Sequence, residues 1–385
     1  MSVTAATGFR AAAATAGLKP SGTPDVALVV NDGPRRDAAA VFTGNRCKAN
    51  PVLWSERVMA DGSLAAVVLN SGGANCYTGP EGFQTTHASA ELVADLIGAG
   101  AIDVAVCSTG LIGEQLDRLR LEAGIRAAAG VLAPDGGGAA AEAIMTTDTR
   151  RKEATVGRDG WTVGGMAKGA GMLAPALATM LVVLTTDTVA DAATLDEALR
   201  AATRVTFDRL DTDGCMSTND TVVLMSSGAS GIAPTAAEFT AAVTDVCADL
   251  ARQLWSDAEG AHHEIAITTL NAATEEDAVA TARAVARSNL FKCAIFGRDP
   301  NWGRVLAAIG TTDAAFDPAA VDVALNDVWV CRDGGSGLGE PREKIVLSAR
   351  EVTVTIDLKA GSAAATVLTT DLTYDYVHEN AAYST

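Results

Sequence analysis

The 385-residue sequence is poor in aromatics, with Phe, Trp and Tyr at 4%, and poor in cations, with 29 Lys and Arg against 47 Asp and Glu. The first shortage means a core assembled from Val, Leu, Ile and Ala, within a hydrophobic fraction of 48%. The second leaves a formal charge of −18. A surface that tracks phosphates needs clustered Lys and Arg to displace counterions, so nucleic acid is not an expected partner. The short basic spots Arg35-Arg36 and Arg150-Arg151-Lys152 are diluted by neighbouring acids and read as solvated surface. No run reaches the roughly 20 apolar residues that a membrane-spanning helix takes. The nearest, 169–184, is broken by Pro175 and Thr179. No membrane association is expected, and the N-terminus lacks the basic segment and Leu-rich core of a secretory signal. Seven cysteines (Cys47, Cys76, Cys107, Cys215, Cys247, Cys293, Cys331) are scattered without a CxxC pair. They read as reduced, buried thiols of a cytoplasmic protein.

Further absences narrow the chemistry. There is no HExxH, no paired Cys/His ligand spacing, no GxGxxG after a strand, no GxxxxGK[ST] and no GxSxG. The four histidines are His87, His262, His263 and His378. The adjacent pair is poor metal geometry, because neighbouring side chains diverge on a regular element. Neither a metal nor a nucleotide cofactor is expected.

What is present is a mixture of short apolar runs and longer helical patterns. Strands are expected at 26–30, 65–70, 104–108, 180–185, 221–225, 264–269, 321–330 and 364–370, and the strict alternation of 351–358 suits a strand with one wet face. Thr194-x-x-Glu197 and Thr235-x-x-Glu238 have the spacing of capping boxes, the second opening a helix that runs to about Asp257. A third helix is expected near Thr274. Interspersed helices and strands predict a mixed α/β or α+β protein. The length allows two or three domains, or one large one with an appendage. The Gly/Pro-rich stretches 134–138 and 333–341 read as surface loops, neither with the composition of a flexible linker, which points to one compact body. Thr-Thr-Asp recurs at 146–148, 185–187, 311–313 and 369–371 and reads as strand-to-turn punctuation.

One segment stands out chemically. In GGMAKGAGMLAPALATMLVVLTTD, residues 164–187, Gly164, Gly165, Gly169 and Gly171 surround a single lysine, Lys168. A small-residue stretch follows, and then Thr179 at the mouth of an apolar strand. The composition reads as a glycine-rich loop entering a buried strand, with Thr179 as a structural strand-start residue. A chemical alternative is open as well. A threonine in a strained turn can attack the peptide bond before it. That N→O acyl shift would cut between Ala178 and Thr179 and leave an α-amine on Thr179. Such an amine, with an ordinary pKa of about 7.7–8.0, can act as base for its own hydroxyl.

At this point the sequence resembles the ornithine acetyltransferases, the glutamate N-acetyltransferases of arginine biosynthesis. The resemblance is carried by AKGAGMLAP and ATMLVVLTTD around residue 179, CSTGLIGE at 107–114, AIMTTDT at 143–149 and TDGCMSTNDT at 212–221. DAEGA at 257–261, FKCAIFGRDPNWGRVLAAIG at 291–310 and TTDLTYDYVHENAAYST at 369–385 complete it. The blocks occur in family order from about residue 8 to the last residue.

The resemblance implies an α+β fold, a layered helix/strand sandwich with a smaller C-terminal α/β subdomain at about 300–385. It implies self-cleavage at Ala178-Thr179 into chains of 1–178 and 179–385, with two such pairs forming a heterotetramer. Thr179 would be the nucleophile, taking acetyl from N2-acetyl-L-ornithine and passing it to L-glutamate, with no cofactor. Acetyl-CoA is a second donor in some members. Thr109 and Gly110 match the oxyanion hole, where a hydroxyl and a backbone N–H stabilise developing charge. Thr146, Lys168, Glu259, Asn380 and Thr385 match substrate-binding positions, together with Thr179 itself. Lys168 suits an α-carboxylate, and Glu259 or the terminal carboxylate at Thr385 suits the ornithine ammonium; Glu259 could instead move a proton on the leaving amine. Cys215-Met216, His262-His263 and the 71–79 segment depart from the family pattern without touching Thr179, Thr109, Gly110 or Lys168. An amidase or aminopeptidase with an N-terminal nucleophile, using water as acceptor, is the alternative enzyme reading.

Overall fold

Uninterrupted runs of Val, Leu and Ala become strands buried along their whole length, because both sheet faces are covered. The computed structural model describes residues 2–173, 180–336 and 339–382. These divide into two compact units, Met1–Asp208 with Cys215–Asp257, and Arg209–Gly214 with Ala258–Tyr383. The single body expected from the lack of linker composition is therefore corrected. The unit boundaries fall at Asp208/Arg209, inside the short 3₁₀ turn Phe207–Arg209, and at Gly214/Cys215 and Asp257/Ala258, none of which carries linker composition. Of the stretch 300–385, expected as a subdomain, the described residues to 382 fall inside the second unit, which begins earlier, at Ala258.

The strands of the first unit are β1 (Phe9–Ala14), β2 (Val26–Asn31), β3 (Ala38–Phe42), β4 (Ala66–Ser71), β5 (Val104–Thr109), β6 (Lys152–Arg158), β7 (Trp161–Lys168), β8 (Leu181–Thr186) and β9 (Thr221–Ser226). Its helices are α1 (Asn50–Val58), α2 (Gly79–Ile97), α3 (Arg118–Ala129), α4 (Gly137–Ala143), α5 (Ala192–Val205) and α6 (Ala236–Ser256). One sheet has the order β1-β2-β4-β5 and the other β3-β9-β8-β7-β6. Both mix pairings: β4/β5 and β8/β9 are parallel and the rest antiparallel. Alternate residues of the second sheet (Met166, Leu181, Val183, Val223, Met225) join the core formed by the first. The opposite face meets α6, where Gly165 lies against Leu184, Val246 and Leu250. Two strand layers thus lie between helices.

The second unit holds β10 (Glu264–Ala272), β11 (Asp322–Leu325), β12 (Val328–Cys331), β13 (Glu351–Asp357) and β14 (Ala363–Thr370) in the order β12-β11-β13-β10-β14. Helices α7 (Glu275–Ala286), α8 (Asn289–Phe296), α9 (Gly303–Ile309) and α10 (Tyr374–Ala382) accompany it. The alternation read in 351–358 is real: Val352, Val354 and Ile356 are buried, and β13 runs parallel to β10 with Val352 opposite Ile265. The protein is α+β.

Four local expectations change. The run 321–330 is a hairpin of β11 and β12, turning at Asn326-Asp327 with φ of 45° and 62°, a left-handed pair that Asn and Asp tolerate. Helix α5 is capped by Asp191, whose carboxylate accepts the Thr194 N–H, so the Thr194 capping box is not used; the box at Thr235 is. The glycines Gly164 and Gly165 lie within strand β7 rather than a loop. Gly137 and Gly138, read as loop, open α4.

Candidate active site

Thr109 ends β5 as a buried residue, and Gly110 follows at φ 137°. A Cβ on Gly110 would lie 2.4 Å from the Gly73 nitrogen, so this backbone approach requires glycine. The Gly73 N–H donates to the Thr109 carbonyl at 3.0 Å, and the Ala74 N–H to Leu111 at 3.1 Å. Asn219 holds the same turn from another side, donating to the carbonyls of Ala74 at 2.7 Å and Ser108 at 2.8 Å. Among the described residues, no hydrogen bond takes up the Gly110 N–H.

Lys168 is the last residue of β7 and is 1% exposed. Its ammonium donates to Thr109 Oγ1 at 3.2 Å. An oxygen that accepts from an ammonium has its own hydroxyl proton aimed elsewhere, so Thr109 remains able to donate. The strand places this lysine because β7 is clamped between β6 and β8, with Lys168 opposite Leu181.

Asp148 ties the neighbourhood together. Its Oδ1 accepts the Gly169 N–H at 2.7 Å and the Lys152 ammonium at 2.5 Å, and its Oδ2 accepts the Thr146 N–H at 3.0 Å. Burial pushes this carboxyl up, but Lys168, Lys152 and the Gly169 N–H outweigh it and hold the pKa below the ordinary aspartate value. Lys152 is fully buried between Asp148 and Asp257. The expectation that Arg150-Arg151-Lys152 is solvated thus fails at Lys152, because two carboxylates compensate its charge in the interior.

Asp220 is the second acid missing from the sequence reading. It is fully buried, and its Oδ1 accepts the Met180 N–H at 3.0 Å. Burial drives its carboxyl well above the ordinary range, against the opposing pull of the Met180 N–H and Lys168. Both acids lie in quoted family blocks, at 148 and 220, yet nothing in their local pattern distinguishes a buried acid from a turn acid. The recurrence of Thr-Thr-Asp was a partial signal for Asp148 alone, since Asp220 lies in no such tripeptide and Asp313, which does, is exposed. Beyond punctuation, Asp148, Asp187 and Asp371 are all buried carboxylates that clamp backbone N–H groups; Asp187 takes those of Thr7 and Thr162, and Asp371 those of His262 and His263.

Of the expected site residues, the first unit thus brings together Thr109, Gly110, Lys168 and, through Asp148, Thr146. In the second unit, Asn380 donates to Glu259 Oε2 at 2.9 Å. Ala178, Thr179 and Thr385 lie outside the described residues. Among the cysteines, Cys47, Cys215 and Cys293 are exposed, which corrects the reading of all seven as buried; none is in a disulfide. No helix among the described residues is long and apolar enough to cross a membrane.

The α+β scaffold thus seats a buried lysine on a strand-end hydroxyl, beside a glycine in a left-handed turn, and gives a compact set of hydrogen-bond donors. Comparison with known proteins supplies the family. Residues 10–385 match the ArgJ family. The arginine biosynthesis bifunctional protein ArgJ of Streptomyces coelicolor is 64% identical over the whole of both chains, and that of Thermobifida fusca 62%. The crystal structure of the arginine biosynthesis bifunctional protein argJ from Bacillus halodurans is 35% identical, covers 52% of this chain and 98% of its own, and gives a TM-score of 0.50. The chain belongs to the ArgJ family.

Proposed function

We propose that this enzyme transfers acetyl from N2-acetyl-L-ornithine to L-glutamate, releasing ornithine and N-acetylglutamate. Thr179, freed by self-cleavage at Ala178-Thr179, serves as nucleophile through an acetyl-Thr179 intermediate, its own α-amine acting as base and no cofactor taking part. Thr109 Oγ1 and the Gly110 N–H stabilise the oxyanion, and Lys168 orients the Thr109 hydroxyl. Thr146, Lys168, Glu259, Asn380 and Thr385 bind the substrates. Cleaved pairs assemble as a heterotetramer in the cytoplasm, and acetyl-CoA is a further candidate donor. The observation that carries the reading is the 3.2 Å contact of Lys168 with Thr109, beside a Gly110 N–H with no partner among the described residues. Membership of a family whose close relatives are named for arginine biosynthesis supports transfer over hydrolysis. The Bacillus halodurans chain supports the cleavage: 52% of this chain covers nearly all of it, so that polypeptide is about half as long as the 385 residues here.

Denatured intact mass and a donor assay test the proposal together. Two species in the proportion of 178 to 207 residues, and loss of acetylornithine that depends on glutamate, are the expected results. A single 39.2 kDa species in an active preparation would overturn the freed nucleophile. Glutamate-independent loss would instead make the enzyme a hydrolase.

A further inference from the structure

Cleavage at 178–179 would remove the covalent restraint on the N-terminal side of Thr179, so its position would then depend on what holds Met180. Both backbone groups of Met180 are engaged. Its N–H donates to Asp220 Oδ1 at 3.0 Å, and its carbonyl accepts the Thr221 N–H at 3.2 Å. The second bond belongs to the ladder in which β8 and β9 run parallel with Leu181 opposite Thr221, and any sequence at these strands would form it. The first is made by a side chain and depends on that residue. Asp220 itself is 0% exposed and sits where β9 begins, immediately after the Asn219 that braces the turn carrying Thr109 and Gly110. The side chains of Ser217 and Thr43 also lie against this buried carboxyl.

A wholly buried carboxyl group is costly unless hydrogen bonds compensate it. A scaffold that needed only a filled space would be served by an apolar residue, so retaining the carboxyl points to the bond it makes. We infer that Asp220 is a positioning residue for transfer: its Oδ1 anchors Met180 and so fixes the nucleophile Thr179 once the 178–179 bond is cut. Asp220 and Asn219 are consecutive, so one short segment sets both the start of β8 and the end of β5. This inference rests on the proposed role of Thr179. An amide keeps an oxygen acceptor at the same place, so Asp220→Asn can preserve the bond to the Met180 N–H.

The test compares wild type, Asp220→Ala, Asp220→Asn and Thr179→Ala for intact mass, Tm, and kcat and KM for acetylornithine. Asp220→Ala is expected to lower kcat by about 10–100-fold with KM within about twofold, since misplacing a nucleophile by about 1 Å can cost 10²-fold. Asp220→Asn keeps an acceptor for the Met180 N–H and is expected to restore kcat to within about threefold of wild type. A cleaved, folded Asp220→Ala enzyme with wild-type kcat would overturn the inference, and so would equal kcat losses in the Ala and Asn variants. Should Asp220→Ala not fold, Asp220→Asn decides: retained kcat supports the anchor, and a loss of tenfold or more at unchanged Tm overturns it. Failure of the Thr179 reading is a distinct outcome, seen as full activity in Thr179→Ala whatever the Asp220 variants do.

Discussion

At Thr109 the side chain has two separable properties, its shape and its hydroxyl. The Lys168 ammonium takes the hydroxyl oxygen as acceptor, which leaves the proton to donate. Thr109→Val keeps the shape and removes the donor, so transfer is expected to slow by about 10²–10³-fold, the usual effect of losing one oxyanion donor. Thr109→Ser keeps the donor and is expected to stay within about tenfold. Steady-state kcat for both, with Tm to confirm the fold, checks this; equal activity of the Val and Ser variants would remove Thr109 from the oxyanion hole. The resemblance made Thr109, Gly110 and Lys168 legible as individual positions. It did not show that the lysine reaches the threonine, because the pairing joins the ends of β5 and β7, 59 residues apart. Asp148 and Asp220 were illegible for a related reason. Their roles come from burial, and an acid in a Thr-rich turn has the same local sequence whether it faces water or the interior.

Among the elements, β7 departs most from its local sequence. Glycine weakens a strand unless another chain segment must approach closely. Here it must: a Cβ on Gly164 would lie 2.4 Å from the Ser2 carbonyl oxygen, and one on Gly165 would lie 2.7 Å from Leu184 Cδ2 and 3.1 Å from Leu250 Cδ1. The neighbours differ in what can move. Leu184 and Leu250 present side-chain ends that can shift by a few tenths of an ångström, whereas Ser2 presents backbone. Gly164→Ala is therefore expected to lower stability more than Gly165→Ala, with the latter costing about 1–3 kcal/mol as ordinary overpacking does. Denaturant unfolding of the two variants measures the order, and a reversed order would mean that the N-terminal segment yields more easily than the core. The strands built of Val and Leu runs were readable because burial on both faces leaves an apolar run. Strands β1 and β3 are mostly alanine and gave no such signal. The cap of α5 was misplaced because Asp191 and Thr194 are both good N-cap residues, and tertiary context selects the earlier one.

The proposed cleavage has a consequence for the molecule that the sheet order makes specific. In the sheet β3-β9-β8-β7-β6, strands β3, β6 and β7 precede residue 178, and β8 and β9 follow it. The two pieces would thus share one sheet, joined along two ladders: β7 with β8, from Val163↔Thr186 to Lys168↔Leu181, and β3 with β9, from Ala38↔Met225 to Phe42↔Thr221. The cut would fall in the connection between β7 and β8 and leave both ladders whole. Separating the pieces would expose the buried faces of Val182, Val183, Val222 and Val223, each worth about 1.5–3 kcal/mol when fully buried. The Lys152 ammonium, between Asp148 in one piece and Asp257 in the other, would also lose a partner. Sequence reading supplied the proposed cleavage point, but the interleaving depends on strand order, which apolar patterns do not encode. The expected outcome is that both pieces co-elute as a single species in native size-exclusion chromatography, at the elution volume of uncleaved Thr179→Ala, and separate only in denaturant. If the pieces separated without denaturant, they could not share these ladders, and cleavage before Thr179 would then be incompatible with this sheet.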